Sequence, residues 1–203
     1  MGVAASVAFE VQLMAGTWTD LTSDTVATRG ARVAYGISGT GPLDSVATTG
    51  ELAFTLRNDA GGSGGVQGYY SPLHANVRTG WTFGIPIRLL CWHGSDVAQA
   101  VTSITRAGSV ATVTTTANHG YSTDDWVTMT GAIQTAYNQT AVQITVTGLA
   151  TFTYAVTGAP ATPATGTITA RRVYVKFYGK VRVINPSAGR YASQRVAVVA
   201  YDV

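Results

Sequence analysis

The sequence predicts an all-β protein, and three observations lead to this prediction. Only 11% of the 203 residues are charged, against about 25% in an average soluble domain, so the chain lacks the Glu, Lys and Arg that solvated helices carry on their outer faces. It contains 23 glycines and is rich in Thr and Val, which is typical of strands joined by glycine turns. Every readable hydrophobic pattern has a period of two, and no segment shows convincing helical periodicity.

Five strong strands are predicted, covering residues 7–13, 51–57, 85–92, 172–183 and 195–201. In the first four, apolar residues recur at every second position. Such strands form antiparallel sheets with one face on the core and the other face exposed.

The longest of these strands has two chemically different faces. Its apolar face carries Val173, Val175, Phe177, Val181 and Val183. Its other face interleaves basic and aromatic side chains, namely Arg172, Tyr174, Lys176, Tyr178, Lys180 and Arg182. Gly179 falls on the apolar face, where a glycine marks either a bulge or a close backbone approach.

Segment 96–170 has its own composition, with many threonines and only four charged residues. It predicts six short strands between turn signals: Val101–Arg106, Val110–Thr116, Trp126–Thr130, Val142–Val146, Thr151–Val156 and Gly166–Ala170. We expect a small β-sandwich here, inserted in a hairpin loop of a parent domain made of residues 1–95 plus 171–203. The parent is expected to be a split barrel or sandwich.

A glycine-rich stretch, Asn58–Gly68, follows the strand at 51–57. It lacks the lysine and the following helix of a phosphate-binding P-loop, so we expect a mobile surface loop. The next residues, Tyr69–Trp81, are expected to form an ordered but irregular loop.

No arrangement of residues predicts catalysis, and we expect neither an enzyme nor a cofactor. The three histidines, His74, His93 and His119, do not have the spacing of a metal site. Asp124 and Asp125 are neighbours on a strand, so their carboxylates point to opposite faces. Cys91 lies among apolar residues and is expected to be buried. No apolar run reaches the length of about 18 residues that a spanning helix needs, so no membrane anchor is expected.

Charge is concentrated at the end of the sequence. Residues 171–203 have a net charge of +6, with seven basic residues against Asp202, and the rest of the chain sums to −3. The basic and aromatic face of strand 172–183 has three possible roles: a solvated outer face, a contact between subunits or a surface for single-stranded nucleic acid. The low charge elsewhere favours the subunit contact over nucleic acid, because a monomer of this size normally has a mixed charged surface.

Four motifs in order resemble those of tailed-bacteriophage tail-tip and baseplate proteins. The first is Trp18-Thr19-Asp20-Leu21-Thr22-Ser23-Asp24, and the second is Gly50–Asp59, which leads to Tyr70-Ser71-Pro72. The third is Gly84-Ile85-Pro86-Ile87-Arg88-Leu89, and the fourth is Phe177-Tyr178-Gly179-Lys180-Val181. Segment 96–170, with His119-Gly120-Tyr121-Ser122 and Thr151-Phe152-Thr153-Tyr154, resembles an immunoglobulin-like module that decorates phage virions.

This resemblance implies a distal-tail-protein-like subunit. Such a protein is made in the host cytoplasm and built into the virion tail. There it forms a ring with copies of itself and joins the tail tube to the hub or fibres, and the inserted module projects outward. As an alternative, the insert binds a host-surface glycan, with Trp126, Tyr137 and Tyr154 as stacking candidates, although these aromatic residues are also expected in the core.

Overall fold

The computed structural model describes residues 6–27, 30–37, 47–187 and 195–202. They form twelve strands and two short 3-10 turns, Thr22–Asp24 and Thr135–Tyr137, and this part of the chain contains no α-helix. The predicted all-β class is therefore confirmed. The strands are β1 Ser6–Met14, β2 Thr17–Asp20, β3 Arg32–Ile37, β4 Ala47–Arg57, β5 Pro86–Trp92, β6 Gln99–Ala107, β7 Val110–Thr115, β8 Trp126–Ala132, β9 Gln139–Gly148, β10 Thr151–Ala155, β11 Gly166–Pro186 and β12 Arg195–Asp202.

The chain divides into two compact units. We call Val7–Leu90 with Lys176–Val203 the parent unit, and Cys91–Val175, with which Ser6 is grouped, the inserted unit. The division falls inside β5 and inside β11, and its bounds lie outside the predicted limits of 96 and 170.

The parent unit is built on one antiparallel sheet that curves back on itself. Its hydrogen-bonded order is β2-β1-β5-β11-β12-β4-β3. Beyond β2, Thr25 forms a bridge with Leu56 of β4, and the Val26 amide donates to the Thr55 carbonyl at 2.8 Å. Residues from one end of the strand order thus reach a strand near its other end.

The curved sheet encloses the core of the parent unit. The alternation predicted at 51–57 and the strand predicted at 195–201 are both confirmed, because the apolar positions of β4 and β12 are buried against each other in register. Strand β5 departs from simple alternation, since Ile87, Arg88, Leu89, Leu90 and Cys91 are all buried. The core side chains are Phe9, Val11, Leu21, Leu52, Phe54, Leu56, Tyr70, Trp81, Ile87, Leu89, Phe177, Val181, Ile184, Val196, Val198 and Ala200.

Strand β11 follows the predicted alternation only as far as Val181. The register with β12 shifts between Val181 and Val183, and this irregularity reverses the faces. Val183, which was predicted to lie on the apolar face, is 41% exposed, and Ile184 is buried in its place. That part of the prediction was wrong because a shift of one residue moves every later side chain to the opposite face.

Gly179 marks a close backbone approach, one of the two roles predicted for it. A Cβ atom at this position would overlap the carbonyl oxygen of Tyr201 on β12 and would lie 2.7 Å from Cζ of Phe177. The register shift of β11 lies further along the strand. Only glycine allows β12 to come this close.

The inserted unit is a closed barrel of six antiparallel strands. The pairing runs β11-β6-β7-β10-β9-β8 and returns from β8 to β11. All six predicted strands are present, but their pairing continues around the whole ring, where we expected a two-sheet sandwich. Closure leaves the sheet without a free edge. The buried side chains inside this barrel are Ile104, Ala111, Val113, Val127, Met129, Ala132, Tyr137, Ile144, Phe152, Tyr154, Val156, Ile168 and Ala170.

Candidate functional site

The predicted basic and aromatic face of β11 is divided between the two units. Arg172 and Tyr174 belong to the inserted unit, whereas Lys176, Tyr178, Lys180 and Arg182 belong to the parent unit. Lys176, Tyr178 and Arg182 are exposed, and Lys180 is half-buried. Each part is therefore described within its own unit.

In the parent unit, Tyr178 is the end of a stack of side chains. Its ring is 51% exposed and meets the ring of Trp18 edge-on, with centroids 6.2 Å apart. Trp18 in turn lies against Arg88, whose guanidinium carbon is 4.2 Å from the Trp18 ring centroid. A guanidinium over an indole face is a favourable cation–π arrangement.

Arg88 also forms a buried ion pair with Glu10. Its Nη2 and Nε atoms both donate to Oε2 of Glu10 at 2.7 Å. Burial lowers the pKa of Arg88 below its ordinary value, and the Glu10 carboxylate opposes that effect. The stack Tyr178, Trp18, Arg88 and Glu10 covers the face of β1 and β5 that is turned away from the apolar core.

The buried Asp24 carboxylate binds the glycine-rich loop through hydrogen bonds. This carboxylate is 2% exposed and accepts three hydrogen bonds: from the Ser63 amide at 2.7 Å and from the hydroxyls of Ser63 and Tyr70 at 2.5 Å each. Arg78 Nη1 donates to the same Tyr70 hydroxyl at 3.0 Å. Burial, and then the hydrogen bond and the charge of Asp24, raise the pKa of Tyr70 above its ordinary value.

Asn58 holds the beginning of the same loop. Its Oδ1 accepts from the Tyr70 amide at 2.7 Å, its Nδ2 donates to Ser71 Oγ at 2.8 Å, and its carbonyl accepts from the Gly68 amide. Asp24 and Asn58 tie the segment Asn58–Gly68, which was predicted to be a mobile surface loop, to the parent unit. The residues that follow form an irregular but well-bonded loop, as predicted.

The motifs that carry the family resemblance thus contact one another within the parent unit. Trp18 of the first motif stacks on Arg88 of the third and meets Tyr178 of the fourth. Asp24 of the first motif accepts from Tyr70 beside the second. Four segments that are far apart in sequence therefore form two packed clusters.

In the inserted unit, Arg172 is held by three neighbours. It forms an ion pair with Asp125 at 2.8 Å, donates to the Gly120 carbonyl at 2.7 Å and lies 5.4 Å from the Tyr121 ring centroid. Partial burial alone would lower the pKa of Arg172, but Asp125 and the Tyr174 hydroxyl outweigh it and raise that pKa above its ordinary value. Tyr174 meets the His93 ring edge-on, with centroids 4.7 Å apart.

Two of the three glycan-stacking candidates lie in the barrel core. Tyr137 and Tyr154 are 0% and 3% exposed, and the Tyr154 hydroxyl donates to the Tyr137 carbonyl at 2.9 Å. Neither ring can stack on a sugar, because both are covered by other side chains of the barrel. Trp126, on β8, is half-buried.

The remaining chemistry-bearing residues have structural contacts. Cys91 is buried, as predicted. His119 stabilises its turn, since Nδ1 accepts from the Tyr121 amide at 2.9 Å and Nε2 lies 3.2 Å from the Gly148 carbonyl. Within the described ranges no group of three His, Cys, Asp or Glu side chains could hold a metal ion.

Several large apolar side chains are exposed, and the sequence pattern did not single them out. In the parent unit, Leu73 is fully exposed, Met14 is 68% exposed and Phe83 is 54% exposed. They lie at the ends of strands or in loops, where the sequence has no alternating hydrophobic pattern from which exposure could be predicted. The residue before Met14 makes a tight backbone contact, because a Cβ atom on Gly80 would overlap the Leu13 carbonyl oxygen.

The candidate site is therefore the exposed apolar surface of the parent unit. Among the residues that the structure describes, no helix has the length and hydropathy to cross a bilayer. The sequence matches no protein-family model and no curated protein.

Proposed function

We propose that this protein is a structural subunit of a bacteriophage tail tip or baseplate. In this proposal the parent unit assembles with copies of itself into a ring that joins the tail tube to the hub or fibres, and the protein resides in the virion tail. We take the type of assembly from the four motifs, which resemble those of tail-tip proteins and follow in the same order.

The exposed apolar side chains of the parent unit are the observation that carries the proposal. Met14, Leu73, Phe83 and Tyr178 are each more than half exposed, in a chain of which only 11% of residues are charged. A contiguous exposed apolar surface marks a protein contact, and in this proposal these four side chains contribute to one. Assembly would bury these side chains.

The contacts between motifs support the use of the resemblance. A chance match of four short motifs gives no reason for their residues to meet, yet Trp18, Arg88 and Tyr178 form one stack. The stacked residues Trp18, Arg88 and Tyr178 lie on β2, β5 and β11 of the parent sheet.

The mass of the protein in solution tests the proposal. We expect light scattering to give a mass several times that of the 21.1 kDa chain, increasing with concentration toward a closed ring. The variants Met14→Lys and Phe83→Lys should shift the mass toward the monomer. Leu149→Lys is the matched control, because Leu149 is equally exposed, at 77%, but belongs to the inserted unit.

A wild-type protein that stays monomeric at the highest concentration it tolerates would contradict the proposal. So would equal loss of assembly in Leu149→Lys and Phe83→Lys, because the contact would then not be specific to the parent unit.

A further inference from the structure

A polar cleft opens on the surface of the inserted unit, at the end of the barrel where β6 begins. It has a volume of about 220 Å³, and Ser95, Asp96, Val97, Gln99 and Arg172 are among its lining residues. A cavity of about 150 Å³ holds one benzene molecule. The cleft therefore has room for one small ring with polar substituents.

Two charged atoms in the wall of this cleft lack partners. Asp96 Oδ2 and Arg172 Nε are buried, and neither has a hydrogen-bond partner among the described residues. Buried polar atoms in native proteins are nearly always paired, so each exception needs an explanation. Both residues line the cleft, and the terminal torsion of Asp96 is broad, so its two carboxylate oxygens can exchange positions.

The backbone beneath Asp96 is fixed before any ligand arrives. Arg171 Nε donates to the Asp96 carbonyl at 2.9 Å, and its Nη2 donates to the His93 carbonyl at 2.8 Å. The other wall is also fixed, since the Tyr121 hydroxyl donates to the Ala170 carbonyl at 2.9 Å. A site held in this way loses little entropy when a ligand binds.

The charges around the cleft select the class of ligand. Arg172 is already paired with Asp125, and Asp96 adds a second carboxylate, so an anion is disfavoured. The guanidinium of Arg172 at the same site opposes a cation. The unpartnered atoms require a group that donates to a carboxylate and accepts from a guanidinium, and a hydroxyl does both.

We propose that this cleft binds one neutral sugar unit, a pyranose whose hydroxyls pair with Asp96 and Arg172. Gln99 provides a further amide at the cleft, and Val97, 72% exposed at its mouth, offers an apolar contact to the C–H groups of the sugar ring. The binding site is separate from Trp126, Tyr137 and Tyr154. It does not depend on the proposed ring, because every residue of the cleft belongs to the inserted unit.

Saturation-transfer NMR on the full-length protein tests this site. The probes are the methyl pyranosides of glucose, galactose, mannose and rhamnose, and methyl N-acetylglucosaminide. We expect at least one to bind with a dissociation constant of order 1 mM, which suits about a dozen non-hydrogen atoms in an open cleft. A glycan array then separates a free sugar from the terminal unit of a surface glycan, since only the latter gives signal on immobilised chains.

Three variants locate the binding. Asp96→Asn should weaken it at least tenfold, because hydrogen bonds to a charged acceptor are the stronger ones. Asp124→Asn is the matched control and should bind like the wild type, since Asp124 lies outside the cleft and its φ of 72° is one that Asn tolerates. Ser95→Trp fills the cleft from an exposed position and should abolish binding without removing a hydrogen bond.

The proposal is overturned if no probe binds the wild type, if sulfate binds in place of the sugars, or if binding survives both Asp96→Asn and Ser95→Trp. Light scattering on the same samples keeps this test separate from the ring. A monomeric wild type that binds a pyranoside would contradict the assembly and support the sugar site.

Discussion

Glu10 and Arg88 form an ion pair of 2.7 Å, in which the two side chains are only 4% and 5% exposed. They lie on β1 and β5, which are neighbours in the parent sheet, on the face turned away from the apolar core. Trp18 closes over the guanidinium. A buried charge destabilises the folded state when its ion-pair partner is removed.

Removing one charge of this pair should strongly destabilise the parent unit. We expect Glu10→Gln to lower the free energy of unfolding by about 3–5 kcal/mol, because it leaves the buried guanidinium without a counter-charge. Urea denaturation followed by tryptophan fluorescence measures the loss. Glu51→Gln, a half-buried position on β4, should change stability by less than about 0.5 kcal/mol. The double variant Glu10→Met, Arg88→Met should be more stable than Glu10→Gln, and an equally unstable double variant would contradict this account.

Asp24 should decide whether the glycine-rich loop is ordered. In Asp24→Asn the amide nitrogen cannot accept from Ser63 or Tyr70, so we expect a loss of about 1–3 kcal/mol and rapid protease cleavage within residues 58–68. Limited proteolysis with mass spectrometry locates the cut. Asp59→Asn is the control in the same loop, because the half-buried Asp59 carboxylate makes a local contact, accepting from the Gly61 amide at 2.9 Å. Equal cleavage of the two variants would show that Asp24 does not hold the loop.

Gly179 should not tolerate a side chain. We expect Gly179→Ala to cost about 1–3 kcal/mol or more, since the added methyl group must push β12 away from β11 at Tyr201. The control is Gly62→Ala, where the new Cβ atom would have its nearest contacts at 3.5 Å, an ordinary distance. Thermal unfolding by circular dichroism compares the two. A melting temperature for Gly179→Ala equal to that of Gly62→Ala would rule out the close approach.

The inserted barrel should lose stability in alkaline solution. Burial first, and the nearby carboxylates of Asp96 and Asp125 in addition, raise the pKa of Tyr121 to about 12 from its ordinary 10.0, against the opposing effect of Arg172. The unfolded chain then releases this proton at lower pH than the folded chain. The stabilisation is complete below pH 10 and is lost as pH rises from 10 toward 12.

Burial also raises the pKa of Tyr154, another residue of this barrel. Denaturant titrations at several pH values, with tyrosinate absorbance recorded in parallel, measure this dependence. Tyr121→Phe should be less stable than the wild type at neutral pH, because the bond to Ala170 is lost, but should show a smaller decline above pH 10. If the stability of Tyr121→Phe fell as steeply above pH 10 as that of the wild type, Tyr121 would not be a cause of the alkaline loss of stability.

Local pattern was enough to predict ten of the twelve strands, but not β2, β3 or the way the strands close. The alternation in β4, and in β11 as far as Val181, is a property of a few consecutive residues, and it predicted the buried face there. The register shift after Val181 is set by the pairing of β11 with β12, which no local pattern contains. Closure of the inserted barrel likewise depends on the pairing of β8 with β11, two strands that are far apart in sequence.

The polar clusters could not be predicted for the same reason. Arg88 occupies the outward position of an alternating strand, and it is buried only because Glu10 and Trp18 meet it there. Asn58–Gly68 has the composition of a mobile loop, and the Asp24 carboxylate that binds Ser63 in this loop lies more than thirty residues earlier in the chain. The cleft at Asp96 and Arg172 joins residues from both ends of the inserted segment.

Electron microscopy of the purified protein in negative stain tests the central claim most directly. The account predicts closed rings of uniform diameter. Phe83→Lys should abolish these rings and Leu149→Lys should leave them intact. Single separate particles of one-chain size at every concentration, or open filaments in place of rings, would contradict the claim.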